Sequence, residues 1–238
     1  DLDAIPEETA RRAKFIYINY PNNPTGAVAT KAFYEKLVAW AKTYEVGVVS
    51  DLAYGALGYQ GYENPSFLST PGAKDVGIEF YTFSKTFNMA GWRLAFAAGN
   101  EQMIEALNLI QDHLFVGIFP ALQEAGIAAL LDPKSEEAVA QLNATYDSRR
   151  DAFVQAAAKI GWQAFPSRGS FYAWMPVPEG YTSESFADLL LEKAHVAVAP
   201  GKGFGSAGDA YVRIGLLVEP ERLVEAVDRI ANLHLFNN

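Results

Sequence analysis

Four polar clusters close or interrupt apolar runs of this chain, and each joins residue types with a use in chemistry. In Thr82-Phe83-Ser84-Lys85-Thr86-Phe87-Asn88-Met89-Ala90-Gly91-Trp92-Arg93, a lysine sits among hydroxyls with an arginine eight positions on. A lysine amine forms a Schiff base with an aldehyde once burial or nearby cations lower its pKa. Hydroxyls and an arginine beside it suit a phosphate. Asp51, followed by Tyr54, ends the run Val46-Gly47-Val48-Val49-Ser50. A carboxylate held against a protonated ring nitrogen makes that ring an electron sink. Arg213 lies inside Tyr211-Val212-Arg213-Ile214-Gly215. An arginine buried in a strand needs an anion, from either a protein carboxylate or a ligand. The fourth cluster, Asn22-Asn23-Pro24-Thr25-Gly26, is made of turn-forming residues.

Each cluster alone has a plainer reading. The Asn-Asn-Pro-Thr-Gly run can be a turn, Asp51 a helix cap and Lys85 a solvated lysine. Together those readings are harder to hold. One cofactor with an aldehyde, a ring nitrogen and a phosphate, working on a carboxylate substrate, accounts for all four.

The elements that must position these residues follow from periodicity. Residues 14–20 (KFIYINY) are β-branched and aromatic and stop at Pro21, which predicts a buried strand. Residues 46–50 predict a second buried strand, and 78–84 and 93–98 two more. Residues 30–44 carry Phe33, Leu37, Val38 and Trp40 at near-helical spacing, with Thr30 as N-cap. Strand, helix, strand with continuously apolar strands implies a parallel sheet covered on both faces. Such sheets bind ligands at the carboxyl ends of their strands, where the clusters lie. Helices are predicted at 101–112 and 121–131, and Asp132-Pro133-Lys134-Ser135 breaks the pattern. Beyond the break come one long helix at 136–160, a strand at 170–175 and a helix at 183–194. Two strand-like runs, 196–200 and 210–217, and a last helix at 221–235 complete the chain. Short strands between helices suggest a smaller α+β domain, so the expected division is 1–132 and 133–238.

Composition excludes several function classes. The 238 residues, 50% hydrophobic and 20% charged, imply one to two domains with a sizeable core rather than a disordered or coiled-coil chain. The absence of cysteine excludes a disulfide scaffold, a cysteine-ligated zinc site and a cysteine nucleophile, and fits a reducing compartment. A net charge of -9 disfavours nucleic acid as a partner. No apolar run approaches the roughly 18 residues of a membrane helix. His113, His195 and His234 show no metal-ligand spacing and read as structural. Pro200-Gly201-Lys202-Gly203-Phe204-Gly205-Ser206 lacks the spacing of a phosphate loop. It reads as a mobile loop that helps close over substrate. Tyr172 and Trp174 read as core packing, and Arg149-Arg150 as facing solvent or a partner chain.

The runs YPNNPTG, SDLAYG, TFSKTFNMAGWR and YVRIG resemble those of the class I/II aminotransferases, which are fold-type I pyridoxal-phosphate enzymes, in order and approximate spacing over essentially the whole chain. The resemblance implies an α/β fold. Residues 1–132 would form part of a mainly parallel, three-layer αβα large domain, and 133–238 the small α+β domain. It implies pyridoxal 5'-phosphate as cofactor, with Lys85 as the Schiff-base lysine and the acid/base that moves the Cα proton. Asp51 then pairs with the ring nitrogen, and Asn23 and Tyr54 donate to the cofactor's 3′ oxygen. Thr82, Ser84 and Arg93 belong to the phosphate cradle, Thr82 standing where the family often has Ser. Arg213, with Asn23, takes the substrate α-carboxylate.

The implied reaction is ping-pong transfer of an amino group between an amino acid and a 2-oxo acid, in a cytoplasmic homodimer with shared active sites. No nucleic acid, membrane or metal partner is implied. The runs QDHLFVGIF and RGSFYAWMPVPEGY are most similar to bacterial aminotransferases near the diaminopimelate and methylthio-oxobutyrate branches. A β-lyase of the same fold would share every motif. The family's N-terminal region, which supplies the rest of the phosphate cup, a ring-stacking aromatic and part of the substrate cleft, has no counterpart ahead of residue 1. The expectation is therefore the C-terminal portion of a longer enzyme, and the remaining alternative is an inactive binding fragment.

Overall fold

A computed structural model describes residues 1–236 of the chain. They divide into two compact units. The first holds Asp1–Pro21, Ala29–Ala56 and Glu63–Ala140; the second holds Asn22–Val28, Leu57–Tyr62 and the chain from Gln141 onward. One junction between the units falls inside the long helix, and two short segments of the first half belong to the second unit.

In the first unit the elements run α1 (Glu7–Arg12), β1 (Phe15–Asn19), α2 (Lys31–Tyr44), β2 (Gly47–Asp51), α3 (Ala73–Val76) and β3 (Gly77–Thr82). They continue with α4 (Phe83–Thr86), β4 (Ala95–Gly99), α5 (Glu101–Leu114), α6 (Pro120–Leu131) and the start of α7 (Ser135–Lys159). Thr30 caps α2 as its residue type predicts, its hydroxyl accepting the Phe33 N–H at 3.1 Å. Tyr34, Leu37, Val38 and Ala41 repeat at helical spacing and bury one face of α2 against Val48 and Phe67. Burying a side chain the size of Leu37 contributes roughly 1.5–3 kcal/mol, which is why this amphipathic pattern suffices to seat the helix.

The sheet has the order β1-β2-β3-β4. β1, β2 and β3 are parallel, with Asn19 opposite Asp51 and Asp51 opposite Phe80. The sheet is mainly parallel, as expected, with one antiparallel strand at its edge, and one expectation, the full burial of β1, is corrected. β4 runs antiparallel to β3, because Thr82 and Ala95 are joined by one turn of α4 and a 3-10 turn at Ala90–Trp92. A parallel return needs a longer crossover. β1 is buried on one face only: Ile16 and Ile18 join the core, while Phe15 and Tyr17 are 51% and 75% exposed. Its strand alternation sends successive side chains to opposite faces, and only one of those faces is packed.

Glu79 is buried at the centre of β3, with no motif in the sequence to mark it. Its carboxylate accepts the Ser50 hydroxyl at 3.0 Å, the Ser66 hydroxyl at 2.5 Å and the Phe67 N–H at 2.8 Å. It therefore ties β2 and the 66–69 turn to β3. Burial is tolerated because all these donors converge on it.

The second unit holds the remainder of α7, then β5 (Tyr172–Pro176), α8 (Ser183–Leu189), β6 (Ala199–Pro200), β7 (Tyr211–Gly215) and α9 (Pro220–Ala231). Its sheet is antiparallel with the order β5-β7-β6. Trp162, Phe153 and Phe186 pack edge to face at the centre of the core. The buried Trp162 indole N–H is satisfied by the Pro176 carbonyl at 2.7 Å. α8 continues as a π-helical turn, Leu190–Ala194, and the strand expected at 196–200 shrinks to two residues.

Residues 201–210 form two 3-10 turns rather than an open loop. Gly201 and Gly208 face each other so closely that a Cβ on Gly201 would lie 2.1 Å from the Gly208 carbonyl oxygen. The Ser183 hydroxyl donates to Asp209 at 2.8 Å and accepts the Lys202 N–H at 3.2 Å, fixing the same turns to α8.

Arg149 and Arg150 turn inward instead of facing solvent. Their side chains are only 15% and 13% exposed; Arg149 bonds Glu219 at 2.6 Å, and Arg150 lies over the Tyr59 ring at 4.7 Å. Tyr59 is buried in this packing, and desolvation pushes its hydroxyl pKa far up, against the opposing pull of Arg150.

Candidate functional site

In the first unit the parallel register aligns the carboxyl ends of β1, β2 and β3 along one sheet edge. The Asn19 side-chain amide donates to the Asp51 carbonyl at 3.0 Å, and the Leu52 N–H donates to the Phe80 carbonyl at 2.9 Å. Asp51, Thr82, Ser84 and Lys85 all stand at this edge, where open α/β sheets bind their ligands.

Asp51 makes the local backbone contact its position allowed, although no helix starts after it. Its Oδ1 accepts the Ala53 N–H at 3.0 Å, a local turn contact. The Leu52–Gly55 turn, closed by the Gly55 N–H on the Leu52 carbonyl at 3.0 Å, then carries Tyr54 into a buried position. Desolvation nevertheless raises the Asp51 carboxyl above the ordinary aspartate range, against the lowering effect of that same backbone bond. A carboxyl pushed toward its neutral form is best relieved by a cationic partner.

Thr82 ends β3 and caps α4. Its Oγ1 accepts the Ser84 N–H at 3.2 Å and donates to the Ser84 hydroxyl at 3.0 Å. The chain returns at Leu94, whose carbonyl accepts the Phe83 N–H at 3.2 Å. Arg93 therefore lies one residue from the point where the chain rejoins the Thr82–Ser84 hydroxyl pair. It sits in the left-handed region at φ 52, with its guanidinium donating to the Ala90 carbonyl at 2.9 Å. Phe83, Met89 and Leu94 form a small buried core beneath this turn. Lys85, half-buried on α4, is held at the edge by that core.

In the second unit Asn23 and Arg213 meet across 190 positions of sequence: Arg213 Nη1 donates to Asn23 Oδ1 at 2.8 Å. The loop that presents Asn23 is a turn, as its composition predicts. The Asn22 side chain accepts from the Thr25 N–H and hydroxyl at 3.2 and 2.7 Å, and the Gly26 N–H closes on the Asn22 carbonyl at 2.8 Å. Gly26 adopts φ +70, a left-handed conformation, and packs against Ser167 and Gly169.

Arg213 is half-buried, and among the described residues it meets no carboxylate. Its guanidinium carbon instead lies 4.2 Å from the Tyr172 ring centroid and 4.7 Å from that of Phe204. Of the anions the sequence allowed, no protein carboxylate stands beside it among the described residues. Tyr172 does more than pack the core, and Phe204 ends the 3-10 turn Gly201–Phe204. The signal that would have placed Tyr172 is strand alternation, which puts Tyr172 and Trp174 on one face of β5, with Arg213 opposite Trp174 in register; no such signal marks Phe204.

The family model for aminotransferase class I and II matches residues 1–230. The L-glutamine--4-(methylsulfanyl)-2-oxobutanoate aminotransferase of Bacillus subtilis (strain 168) is 57% identical over 236 residues, covering 99% of this chain and 59% of the relative. The LL-diaminopimelate aminotransferase of Moorella thermoacetica (strain ATCC 39073 / JCM 9320) is 49% identical over 230 residues, covering 97% and 58%. Among solved structures, substrate-bound BacF from Bacillus subtilis superposes with a TM-score of 0.94 at 47% identity, covering 99% of this chain and 60% of that one. The chain thus spans less than two thirds of the length of each of these relatives.

Proposed function

Because the chain belongs to the class I and II aminotransferases, we propose that it performs pyridoxal-phosphate-dependent transamination, moving an amino group between an amino acid and a 2-oxo acid. The observation that carries this reading is Arg213, a half-buried cation with a neutral amide and two rings around it and no protein carboxylate among the described residues. Amino acids and 2-oxo acids share the anion it calls for. A guanidinium grips an α-carboxylate bidentately.

The donor set in the first unit fits the cofactor. Bound pyridoxal phosphate supplies an aldehyde that condenses with amines and a ring that stores the electron pair released at Cα. In this reading Lys85 Nζ would be the amine that takes the aldehyde and the group that carries the proton to and from Cα. Thr82, Ser84 and Arg93 take the phosphate, hydroxyls and guanidinium being its usual donors. Asp51 holds the ring nitrogen protonated, which relieves the strain of its own desolvation. Tyr54 would donate to the 3′ oxygen; in the second unit, Asn23 orients Arg213 toward the carboxylate.

L-glutamine and 4-(methylsulfanyl)-2-oxobutanoate are the donor and acceptor we assign, on the strength of the 57% identical relative that carries this pair in its name. A homodimer is part of the proposal. Leu114, Phe115, Val116 and Phe119 are exposed at the end of α5 and in the link to α6, and Leu131 at the end of α6, apolar surface that a second copy would cover. Cytoplasmic action suits these small substrates and a chain without cysteine. Among the described residues no helix is long and apolar enough to cross a membrane.

The test is product analysis on the intact protein given L-glutamine and 4-(methylsulfanyl)-2-oxobutanoate, with LL-diaminopimelate as competing donor. Formation of methionine together with 2-oxoglutaramate is expected, and an S-substituted cysteine supplied in parallel should release no ammonia and pyruvate. Ammonia and pyruvate from the S-substituted cysteine, with no methionine formed from glutamine, would replace transamination by a lyase activity.

A further inference from the structure

Arg213 carries out its proposed task only if its guanidinium is held still. Its own hydrogen bonding within the described residues is a single bond, Nη1 to Asn23 Oδ1 at 2.8 Å. One such bond leaves the planar fork free to swing about it. Two aromatic rings supply the missing restraint, with centroids 4.2 Å (Tyr172) and 4.7 Å (Phe204) from the guanidinium carbon. Arginine stacks on aromatic faces while its N–H donors stay available in the guanidinium plane.

These rings are themselves anchored. Tyr172 stands on β5, whose register with β7 is fixed on either side of Arg213. Phe204 ends a 3-10 turn, Gly201–Phe204, and meets Trp174 edge to face at 6.0 Å. Trp174 in turn stacks on Tyr211 at 5.2 Å with an interplanar angle of 15°. The turn is pinned at its other end by the Gly201–Gly208 approach and by Ser183 and Asp209. Phe204 is nonetheless 41% exposed. A large apolar ring left this open on so firmly anchored a turn is poorly explained by core packing.

We infer that Tyr172 and Phe204 are positioning residues for Arg213, forming an aromatic clamp that presets the guanidinium for a planar α-carboxylate. The inference rests on the reading of Arg213 as the carboxylate-binding group. It adds that discrimination in favour of α-carboxylate substrates depends on two residues that touch the arginine and need not touch the substrate. It also gives the glycine-rich 201–208 segment a purpose, since its turns place the Phe204 ring.

The test uses the holoenzyme of the intact protein and compares an amino acid donor with the corresponding amine that lacks the α-carboxylate. In Phe204→Leu the KM for the amino acid is expected to rise about tenfold, the effect of taking one cation–π interaction away from a partly desolvated arginine. The kcat should stay within about twofold, and the amine reaction should not change. Phe204→Tyr should restore the KM, because an aromatic face is what is required. If Phe204→Leu does not yield folded protein, Tyr172→Leu with rescue by Tyr172→Phe reads the same clamp from its other ring. Leucine performing as well as phenylalanine, or loss of amine and amino acid reactions alike, would overturn the clamp. An Arg213→Gln arm separates the two claims. If it retains the carboxylate preference, the assignment of Arg213 itself falls; if it loses that preference while Phe204→Leu does not, only the clamp falls.

Discussion

Replacing Gly26 by alanine tests how the Asn23 loop is built. Gly26 has φ +70, and an L-residue held in that left-handed region costs roughly 1–2 kcal/mol. The new Cβ would also lie 2.0 Å from Ser167 Oγ, 2.7 Å from Ser167 Cβ and 3.0 Å from the Gly169 carbonyl oxygen. Overpacking of this kind adds about 1–3 kcal/mol, so Gly26→Ala should destabilise by about 2–5 kcal/mol, summing the two terms. To make room, Ser167 must turn away from its acceptors, the Gly26 carbonyl at 3.3 Å and the Gly169 carbonyl at 3.0 Å. The loop that carries Asn23 then shifts under Arg213. Because the hydrogen bond there involves a charged donor, the KM for the amino donor should rise on the order of tenfold. Denaturant unfolding of Gly26→Ala, Ser167→Gly and the double variant measures the steric part separately. Ser167→Gly should recover about 1–3 kcal/mol in the Gly26→Ala background, the overpacking part alone. A single Gly26→Ala variant as stable as the parent, or a double variant with no recovery, would refute the packing argument.

Other perturbations follow from the same geometry. Desolvation raises the folded-state pKa of Asp51 above its unfolded value, so its ionisation disfavours the folded state; the penalty is absent below the ordinary aspartate pKa of about 3.9 and complete above the raised folded value. Cofactor-free Asp51→Asn should therefore melt higher than the parent at neutral pH, with the gain fading as pH falls through that window. A lower melting temperature at pH 7, or a pH-independent difference, would contradict the electrostatic explanation. Glu79→Ala strands the Ser50 and Ser66 hydroxyls and the Phe67 N–H and should cost about 3–5 kcal/mol in denaturant unfolding, with Glu79→Gln milder because an acceptor oxygen remains. Gly201→Ala drives a methyl group into backbone atoms of Gly208 and Tyr211 at 2.1 and 2.4 Å, and circular dichroism melting should show a destabilisation larger than for Gly26→Ala, where the obstacle is mainly a side chain.

Much of the candidate site's placement was legible because its residues sit at strand ends. A polar residue that stops an apolar run marks both the end of the strand and the edge where ligands bind, so Asp51, Thr82 and Lys85 could be placed from sequence before any fold was known. Thr30 announced α2 for the same kind of local reason. What the sequence hid was non-local. The direction of β4 depends on how far the 83–94 turn can carry the chain, and the one-sided burial of β1 depends on which face is packed. Glu79 carries no motif; only the fold brings Ser50, Ser66 and Phe67 to it. The pairing of Asn23 with Arg213, and of Arg213 with Tyr172 and Phe204, joins four separate stretches of sequence. The glycine-rich 201–208 segment looked pliable by composition, yet Gly201 and Gly208 let two backbones touch.

The proposed chemistry stands or falls on Lys85 holding the cofactor aldehyde. Treating the intact protein, loaded with pyridoxal phosphate, with borohydride fixes the cofactor to whichever amine holds it, and peptide mass mapping then reads the position. A pyridoxyl group is expected on the peptide containing Lys85 and should be absent from Lys85→Ala. A pyridoxyl group on another lysine, or none on Lys85 in a protein that still transaminates, would contradict the assignment.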